Sequence, residues 1–365
     1  MSKSVAIIGS RGYPSYYGGF ETLVRRLAPY LADCGWDVTV YGRPGSTSSR
    51  EGELDPRIRS KFTRGVETKS VSTLSYGLTS CADAFVRNPD VALVLNVANG
   101  YWLPLLKMRG IPTLTNVDGI EWEREKWGRV AKAAFKMGAR ATAKFGDALV
   151  SDSVEIGRRW VQEFGRESFF IPYGGAPYHV SSTPTEFGGR PYVLMVARFV
   201  PENTVGEFIE AAVELSEKWD VAIVGSSGYG GELEERVAAL DRRSSSVHWF
   251  GHISDDAKLF SLWANASAYF HGHSVGGTNP ALVQAMACGS PIVARDTVFN
   301  REVLRDSAVY TSPNPDEIVR AVSSLMSDVG LQRSLRLAAR ERAESHYSWE
   351  GVCEKYETAL SQLRR

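Results

Sequence analysis

Short apolar runs alternate with helical hydrophobic spacing along most of the chain. Residues 5–8 form a first apolar run, Leu23, Leu27 and Leu31 then recur at helical spacing, and residues 38–41 form a second run. This order predicts a strand, a helix and a strand, which is the β-α-β unit of a parallel sheet. Further short strands are predicted at residues 91–95, 112–116, 148–150, 192–196, 221–224, 247–251, 266–270 and 291–294. The pattern therefore predicts an α/β protein.

Two polar segments interrupt this pattern. Residues 44–72 are rich in Gly, Ser, Arg and Glu, and we expect a loop with an edge hairpin there. Residues 172–190 contain several Pro and Gly and predict a joint between domains. With 365 residues the chain is long enough for two domains, each with its own core. We divide it into a first domain at 1–171, a second at 172–345 and an amphipathic terminal helix within 346–365.

Charge narrows the class of partner. The chain carries 42 Lys and Arg against 42 Asp and Glu, so nucleic acid is disfavoured as the main partner. Residues 1–171 hold 24 basic and 18 acidic residues, which is a net charge of +6, and the remainder is −6. This asymmetry predicts that the first half faces something anionic, although a chance distribution of surface charge explains it equally well.

The four cysteines stand at positions 34, 81, 288 and 353, without CxxC spacing. This scatter predicts neither a zinc site nor a disulfide framework, and it fits reduced thiols in a reducing compartment. The chain shows no signal-peptide pattern and no apolar run of membrane-spanning length. We therefore expect a cytoplasmic protein.

The segment 271–294 carries the most informative local pattern. It follows an apolar run and contains His271, Gly272, His273 and a Gly276-Gly277 pair before Asn279-Pro280. Asparagine is a good helix N-cap and proline suits the first helical position, so a helix is predicted from there to Gly289. A glycine-rich loop that leads into a helix start can bind an anion or sugar hydroxyls. An ordinary strand-loop-helix joint remains an equal alternative.

The same segment resembles the second-domain signature of family-4 glycosyltransferases, which have the two-domain GT-B fold. It is most similar to a rhamnosyltransferase-like branch, whose version reads His-Gly-His-x-Val-Gly-Gly-Thr-Asn-Pro. The resemblance implies two Rossmann-like, doubly wound domains with a cleft between them and a C-terminal helix that crosses back to the first domain. It also implies that this segment binds the donor, through His273, Gly276, Gly277, Thr278, Asn279 and Gln284.

Two positions depart from the pattern of the wider family. That pattern is Glu-x7-Glu, whereas this chain has Gly276 and Gln284 at the two glutamate positions. In the family, the second glutamate holds the ribose hydroxyls of the nucleotide. A glutamine replaces one carboxylate oxygen with a donor nitrogen, so we expect ribose binding to be altered.

The resemblance assigns further donor-binding residues. Gly18 and Gly19 lie at a predicted helix start, where the family binds a diphosphate, and Arg198 matches a phosphate-binding arginine. Asn203 stands where the wider family has a lysine, and the backbone at Gly251 is expected near the base. No Asp-x-Asp motif is present, and no carboxylate or cysteine joins His271 and His273 at ligand spacing. We therefore expect no metal and no cofactor besides the nucleotide-sugar donor.

Three carboxylates follow predicted strands in the first half. Asp118 and Glu121 come after residues 112–116, among Trp122 and Trp127, and carboxylates with tryptophan faces suit a sugar site. We expect Asp118, and secondly Glu121, to orient or deprotonate the acceptor. An exposed, charge-rich helix start is the alternative interpretation. Asp152, between Ser151 and Ser153, serves either in the site or in a capping cluster.

Residues 129–145 form a predicted helix without any acidic residue. One stripe is basic, and it consists of Arg129, Lys132, Lys136, Arg140 and Lys144. The neighbouring stripe is apolar, and it consists of Val130, Ala134, Met137, Ala141 and Phe145. This helix predicts contact with an anionic membrane or a lipid-diphosphate acceptor at the inner face of the membrane. A solvated face of a packed helix is at least as consistent with the pattern.

The resemblance implies a metal-independent, retaining glycosyltransferase of cell-surface glycan biosynthesis. The branch implies L-rhamnose from dTDP-L-rhamnose, within the broader class of dTDP- or UDP-linked donors, and a lipid-linked or polysaccharide acceptor. A nucleotide-sugar 2-epimerase of the same fold is one alternative. A catalytically degenerate binder of sugar nucleotides is another, because Gly276 and Gln284 replace glutamates.

Overall fold

The computed structural model describes residues 3–16, 18–47, 54–66, 72–125, 127–178, 185–228 and 230–364. The chain divides into two compact units. Unit 1 comprises Met1–Tyr173 with Trp349–Arg365, and unit 2 comprises Gly174–Ser348. Each unit is built on its own parallel sheet.

Unit 1 contains a seven-stranded sheet in the order β3-β2-β1-β4-β5-β6-β7, and every strand pair is parallel. Its strands are β1 Lys3–Ile8, β2 Trp36–Gly42, β3 Arg59–Phe62, β4 Val91–Leu95, β5 Thr113–Asn116, β6 Ala148–Ser151 and β7 Phe169–Phe170. Its helices are α1 Gly19–Asp33, α2 Ser72–Arg87, α3 Leu103–Met108, α4 Arg129–Phe145 and α5 Val154–Phe164, together with the terminal helix α13 Trp349–Leu363.

Unit 2 contains a six-stranded parallel sheet in the order β10-β9-β8-β11-β12-β13. Its strands are β8 Tyr192–Val196, β9 Asp220–Val224, β10 Val247–Trp249, β11 Ala268–His271, β12 Ile292–Arg295 and β13 Ala308–Thr311. Its helices are α6 Val205–Leu215, α7 Glu232–Arg243, α8 Asp256–Asn265, α9 Pro280–Cys288, α10 Val298–Leu304, α11 Pro315–Ser327 and α12 Val329–His346.

The central strands read as continuous apolar runs because helices cover both faces of each sheet. All five residues of β4 and of β9 are buried, so these strands expose neither face to water. The helices that cover them are amphipathic, and α1 buries Leu23, Leu27 and Leu31 on one side. The predicted fold class, α/β with two Rossmann-like units, is confirmed.

The predicted edge hairpin is wrong. Strand β3 runs parallel to β2, with Thr39 opposite Arg59 and Gly42 opposite Phe62. A hairpin would make them antiparallel, whereas a parallel edge needs a longer connection. Both ends of β3 are exposed, and this half-solvated edge explains its polar sequence. Residues 48–53 and 67–71 of the same segment lie outside the described residues.

The terminal helix α13 packs on unit 1, against α1, β4 and β5. The Tyr356 hydroxyl is 2.7 Å from Nδ2 of Asn116, at the end of β5, and both side chains are buried. At the opposite edge, Glu357 accepts hydrogen bonds from Lys3 Nζ at 2.8 Å and Trp36 Nε1 at 3.1 Å. These polar contacts orient the helix, while its buried apolar face holds it in place. Within the described residues, no helix is long and apolar enough to cross a membrane.

Tyr356→Phe should loosen α13. The change leaves the buried Asn116 Nδ2 without its partner, which costs about 1–3 kcal/mol. We expect faster hydrogen exchange of residues 349–363 and a lower unfolding temperature. Tyr310→Phe is the matched control, because its hydroxyl donates to Arg305 O at an exposed site. Equal effects of the two variants would contradict this role for Asn116.

Candidate functional site

In unit 2, the polar groups gather where the strand order reverses. The chain passes from β8 to β9 and β10 in one direction, and from β11 to β12 and β13 in the other. Ligands of doubly wound sheets bind at the carboxyl ends of the strands that flank such a switch point. Here the flanking loops are residues 197–204 after β8 and the glycine loop, residues 272–279, after β11. They are joined by hydrogen bonds from Ser274 N to Glu202 O at 3.0 Å and from Thr204 Oγ1 to Gly272 O at 2.5 Å.

Arg198 and Asn203 play different parts in the first loop. The Arg198 side chain is exposed. Asn203 is buried, and its Nδ2 donates to the carbonyl of Arg198 at 2.9 Å. The asparagine therefore stabilises the backbone conformation at Arg198. Where the wider family has a lysine, this chain has an amide that makes a structural contact. Charge for a phosphate comes from Arg198 alone in residues 197–204.

The first backbone N–H groups of α9 already have hydrogen-bond acceptors. Asn279 caps it, with Oδ1 accepting from Ala281 N at 2.9 Å and the carbonyl accepting from Leu282 N at 3.0 Å. Pro280 has no N–H. An anion would therefore meet the helix dipole and the loop backbone around Gly276, which has a φ of 102° that favours glycine.

Gln284 is committed to the fold of unit 2. Its Oε1 accepts from Ala176 N at 2.9 Å, and its Nε2 donates to Ala176 O at 2.8 Å. The neighbouring Gly175 permits this close approach, because a Cβ there would lie 2.5 Å from Val283 O. The amide thus clamps residues 174–176 on α9, and a ribose would have to share or displace these bonds. The expected ribose contact has no support from this geometry.

The two histidines of the glycine loop are stacked. Their ring centroids are 4.4 Å apart, and Tyr269 OH lies 3.0 Å from His271 Nδ1. Burial lowers the pKa of His271 to about 3, so its ring is neutral at physiological pH. The carbonyl of His273 accepts from Asn300 Nδ2 at 2.9 Å. Among the described residues, no group of three His, Cys, Asp or Glu side chains is arranged to hold a metal ion.

Gly251 follows β10, the outermost strand of the unit 2 sheet, at the same carboxyl edge as the two loops. Its carbonyl accepts a hydrogen bond from Gly225 N at 2.7 Å, and its φ of 60° lies in the left-handed region. The backbone here therefore ties the end of β10 to the end of β9.

In unit 1, three successive strands end in polar side chains. Asn96, Asp118 and Asp152 follow β4, β5 and β6. Asp118 accepts a hydrogen bond from Asn96 Nδ2 at 3.0 Å, and its own N–H donates to Asn116 Oδ1 at 2.8 Å. With a φ of 58°, Asp118 adopts a left-handed conformation that aspartate tolerates better than most residues. The carboxylate is thus placed by two amides.

Asp118 and Asp152 both lie close enough to Tyr173 for their charges to act on its hydroxyl. Burial raises the pKa of the Tyr173 hydroxyl well above its usual value, and the charges of Asp118 and Asp152 raise it further. Asp152 is itself buried, while Ser153 caps α5 by accepting from Glu155 N at 3.1 Å. Ser153 therefore caps the helix, and Asp152 lies with Asp118 near Tyr173.

Glu121 is not part of this group. Its carboxylate is buried between Arg124 Nε at 2.6 Å and Trp127 Nε1 at 2.8 Å. The expected stacking of Trp122 on a sugar is wrong, because its ring packs edge-on against Trp160 and Phe164 in the interior. A tryptophan beside charged residues looked exposed in sequence, but α5 covers it.

Gly18 and Gly19 lie at the start of α1, which follows β1 at the switch point of unit 1. Gly18 is the N-cap and has no side chain to accept from the first turn. The first N–H groups of a helix have no partner within it, so they can face an anion there. The buried Glu21 carboxylate accepts from Arg11 N at 3.0 Å and holds the preceding loop against this turn.

Sequence reasoning missed Asn96, Tyr173 and Glu202. Asn96 was the easiest of the three to find, because it directly follows the predicted strand at residues 91–95. Asp118 is predicted from a similar position, two residues after the strand at 112–116. Tyr173 lies in the predicted joint, and its approach to Asp118 depends on tertiary folding. Glu202 stands in a polar turn that reads as exposed, yet it is buried.

Helix α4 has the predicted bounds, but it packs with a different face. Gly138, Ala139 and Thr142 are buried, and a Cβ on Gly138 would lie 2.6 Å from Val97 O. The expected apolar packing stripe is therefore wrong at its outer positions: Val130 is 86% exposed and Met137 is 55% exposed. Small residues let the helix approach the backbone closely, which turns larger apolar side chains outward beside the cations.

Comparison with known families agrees with this architecture. Residues 182–342 match the family model for glycosyl transferases group 1, and residues 69–176 match a domain of unknown function, DUF1972. The first match lies within unit 2 and contains both loops of its switch point. The second contains Asp118, Asp152 and α4.

Two curated relatives carry transferase or synthase names. The alpha-maltose-1-phosphate synthase of Mycobacterium tuberculosis is 24% identical over 393 residues, which cover 96% of this chain and 97% of that protein. The phosphatidyl-myo-inositol mannosyltransferase of Mycobacterium leprae is 29% identical over 232 residues, which cover 59% of this chain and 60% of that protein.

Solved structures share the fold at low identity. Sucrose-phosphate synthase from Thermosynechococcus elongatus matches with a TM-score of 0.79 at 18% identity over 99% of both chains. The Anabaena protein HepE, solved in complex with UDP-glucose, matches with a TM-score of 0.74 at 15% identity over 100% of both chains. The fold is GT-B, and the match to glycosyl transferases group 1 over residues 182–342 supports a glycosyltransferase.

Gln284→Glu should destabilise unit 2 without improving nucleotide binding. The carboxylate loses the donor to Ala176 O and sets an oxygen against that carbonyl, which costs about 1–3 kcal/mol. Thermal unfolding and calorimetric titration with UDP measure the two effects. Gln162→Glu, the same change at an exposed position of α5, is the control. Tighter UDP binding at unchanged stability would show that residue 284 faces the ribose after all.

Proposed function

We propose that the protein transfers a sugar from a nucleotide donor held by unit 2 to a lipid-linked or polysaccharide acceptor held by unit 1. The observation that carries the proposal is the switch point of unit 2, where exposed Arg198 and the glycine loop meet at the ends of β8 and β11. An arginine and loop N–H groups are the ligands that a diphosphate prefers. The proposed role in cell-surface glycan synthesis follows from this pair of substrates.

The best donor is dTDP-L-rhamnose. The support is the segment 271–280, which is similar to the rhamnosyltransferase-like branch. The Anabaena structure was solved with UDP-glucose, which makes UDP-linked sugars the alternative donor class.

The proposed reaction retains the configuration of the transferred sugar and needs no metal ion. Arg198 and the positive end of α9 stabilise the departing diphosphate, and such electrostatic stabilisation is the largest contribution in many enzymes. Asp118, placed by Asn96 and Asn116, orients the acceptor hydroxyl and accepts its proton. Asp152 and Tyr173 complete the acceptor side.

A donor and transfer assay in EDTA tests this proposal. We expect dTDP-L-rhamnose to raise the unfolding temperature more than UDP-glucose, because a ligand at 100 times its Kd adds about 2.7 kcal/mol of stability. With a polyprenyl-diphosphate-linked saccharide present, rhamnose should be transferred. Asp118→Asn should bind the donor normally and lose at least about 100-fold in kcat.

Other outcomes would favour the alternatives. Conversion of the donor without any acceptor would indicate a nucleotide-sugar 2-epimerase. Binding of a nucleotide sugar without transfer would indicate a degenerate binder, in keeping with Gly276 and Gln284. Loss of activity in EDTA that returns with Mg²⁺ would overturn the metal-independent mechanism.

We further propose that α4 places unit 1 on an anionic membrane at its inner face. Exposed Val130 and Met137 lie beside exposed Arg129, Arg140 and Lys144, and no acidic residue occurs in the helix. Apolar side chains enter the interface while the cations bind anionic headgroups. Lys136 pairs with Glu163 at 2.7 Å, so it adds less to this surface. A lipid-linked acceptor, as in the name of the Mycobacterium leprae relative, would be reached there.

Vesicle flotation tests the membrane contact. The triple variant Arg129→Glu, Arg140→Glu and Lys144→Glu should abolish co-flotation with anionic vesicles, since each cation near the surface contributes about 1 kcal/mol. The control reverses three exposed cations of unit 2, Arg242, Arg243 and Arg333, with the same change in net charge. If both triple variants float like the wild type, α4 does not bind the membrane.

A further inference from the structure

Glu202 is a buried carboxylate that has no part in the proposed transfer reaction. It lies in a short 3-10 turn, Pro201–Asn203, after β8, and only 5% of the residue is exposed. Both carboxylate oxygens are buried and lack a hydrogen-bond partner among the residues that the structure describes. Such groups are rare, because withdrawing a carboxylate from water without a partner is strongly unfavourable.

The position of Glu202 links it to the donor region. Its backbone carbonyl accepts from Ser274 N at 3.0 Å and from Ser274 Oγ at 2.8 Å. Ser274 belongs to the glycine loop, two residues before Gly276, and Glu202 shares its own loop with Arg198. The carboxylate therefore belongs to a turn that joins both loops of the switch point. An unfavourable buried group is retained most often where function requires it.

The chemistry of the two loops restricts what this carboxylate can bind. Residues 197–204 and 272–279 contain no other Asp or Glu. A carboxylate repels a diphosphate, but it accepts strong, charge-assisted hydrogen bonds from hydroxyl groups. Gly276 has no side chain that would offer such an acceptor. The sugar attached to the diphosphate is the neutral, hydroxyl-rich part of the donor.

We propose that Glu202 determines donor specificity by accepting hydrogen bonds from hydroxyl groups of the transferred sugar. This inference rests on the proposed function, because it requires unit 2 to bind a nucleotide sugar. It assigns recognition of the sugar to the turn after β8, while Arg198 and the glycine loop bind the diphosphate. The carboxylate gains its partners only when the sugar arrives.

Two ligand pairs test the proposal: dTDP-L-rhamnose with dTDP, and UDP-glucose with UDP. Each ligand is titrated into the wild type and into the variants Glu202→Gln and Glu202→Met. For the nucleotide sugar that the wild type binds, we expect both variants to weaken binding by at least about tenfold. Binding of the matching diphosphate should change by less than about threefold. Without ligand, both variants should unfold about 2 °C or more above the wild type, because the buried charge is removed.

Glu207→Gln provides the matched control. It makes the same chemical change five residues later, at a partly exposed position in the first turn of α6. We expect it to change neither the difference between nucleotide sugar and diphosphate nor the unfolding temperature of the unliganded protein beyond about 1 °C.

Three results would overturn the inference. Equal losses of affinity for sugar nucleotide and diphosphate would assign Glu202 to the ribose or to folding. A lower unfolding temperature in both variants would show a structural role. Unchanged affinities for both the sugar nucleotide and the diphosphate would show that no sugar hydroxyl binds Glu202 while leaving the proposed function intact. A wild type that binds neither nucleotide sugar would instead overturn the proposed function, and this inference with it.

Discussion

Parallel strands bring all their carboxyl ends to one edge of a sheet, and the candidate loops of both units depend on that constraint. Helices cover both faces of each sheet, so the loops at this edge are where polar side chains reach a ligand. In unit 1 the edge carries Asp118 and Asp152, and in unit 2 it carries Arg198 and the glycine loop. The chemistry of each unit therefore follows from which residues stand directly after the strands.

Amide side chains keep these loops in shape. Loop backbones leave N–H and C=O groups that the sheet does not satisfy, and a buried one is costly without a partner. Asn203 satisfies the carbonyl of Arg198, Gln284 satisfies both groups of Ala176, and Asn300 satisfies His273. Residues whose type suggests ligand binding are therefore used as scaffold. In our proposal, the residues that bind the donor are Arg198, the backbone of the glycine loop and Glu202.

The surface of unit 1 shows a related division of work. Gly138, Ala139 and Thr142 bring α4 close to its own unit, so its larger apolar side chains are excluded from the core. They emerge beside Arg129, Arg140 and Lys144. Part of the net positive charge of residues 1–171 therefore lies on this one helix. Composition alone was consistent either with a binding surface or with a chance distribution of charge.

The fold was predictable from the sequence because short apolar runs such as residues 5–8 and 91–95 are typical of strands that are buried on both faces of a parallel sheet. The placement of Asp118 after β5 followed from the same pattern. Strand β3 was not predictable, since an edge strand loses the apolar signal. The different side-chain partners of Glu121 and Asp118, which are three residues apart, were not predictable either. Glu121 turns to Arg124 and Trp127, whereas Asp118 meets Asn96 from another strand. Local spacing decides which elements form, but the partners of a buried polar side chain come from distant segments, and tertiary packing alone selects them.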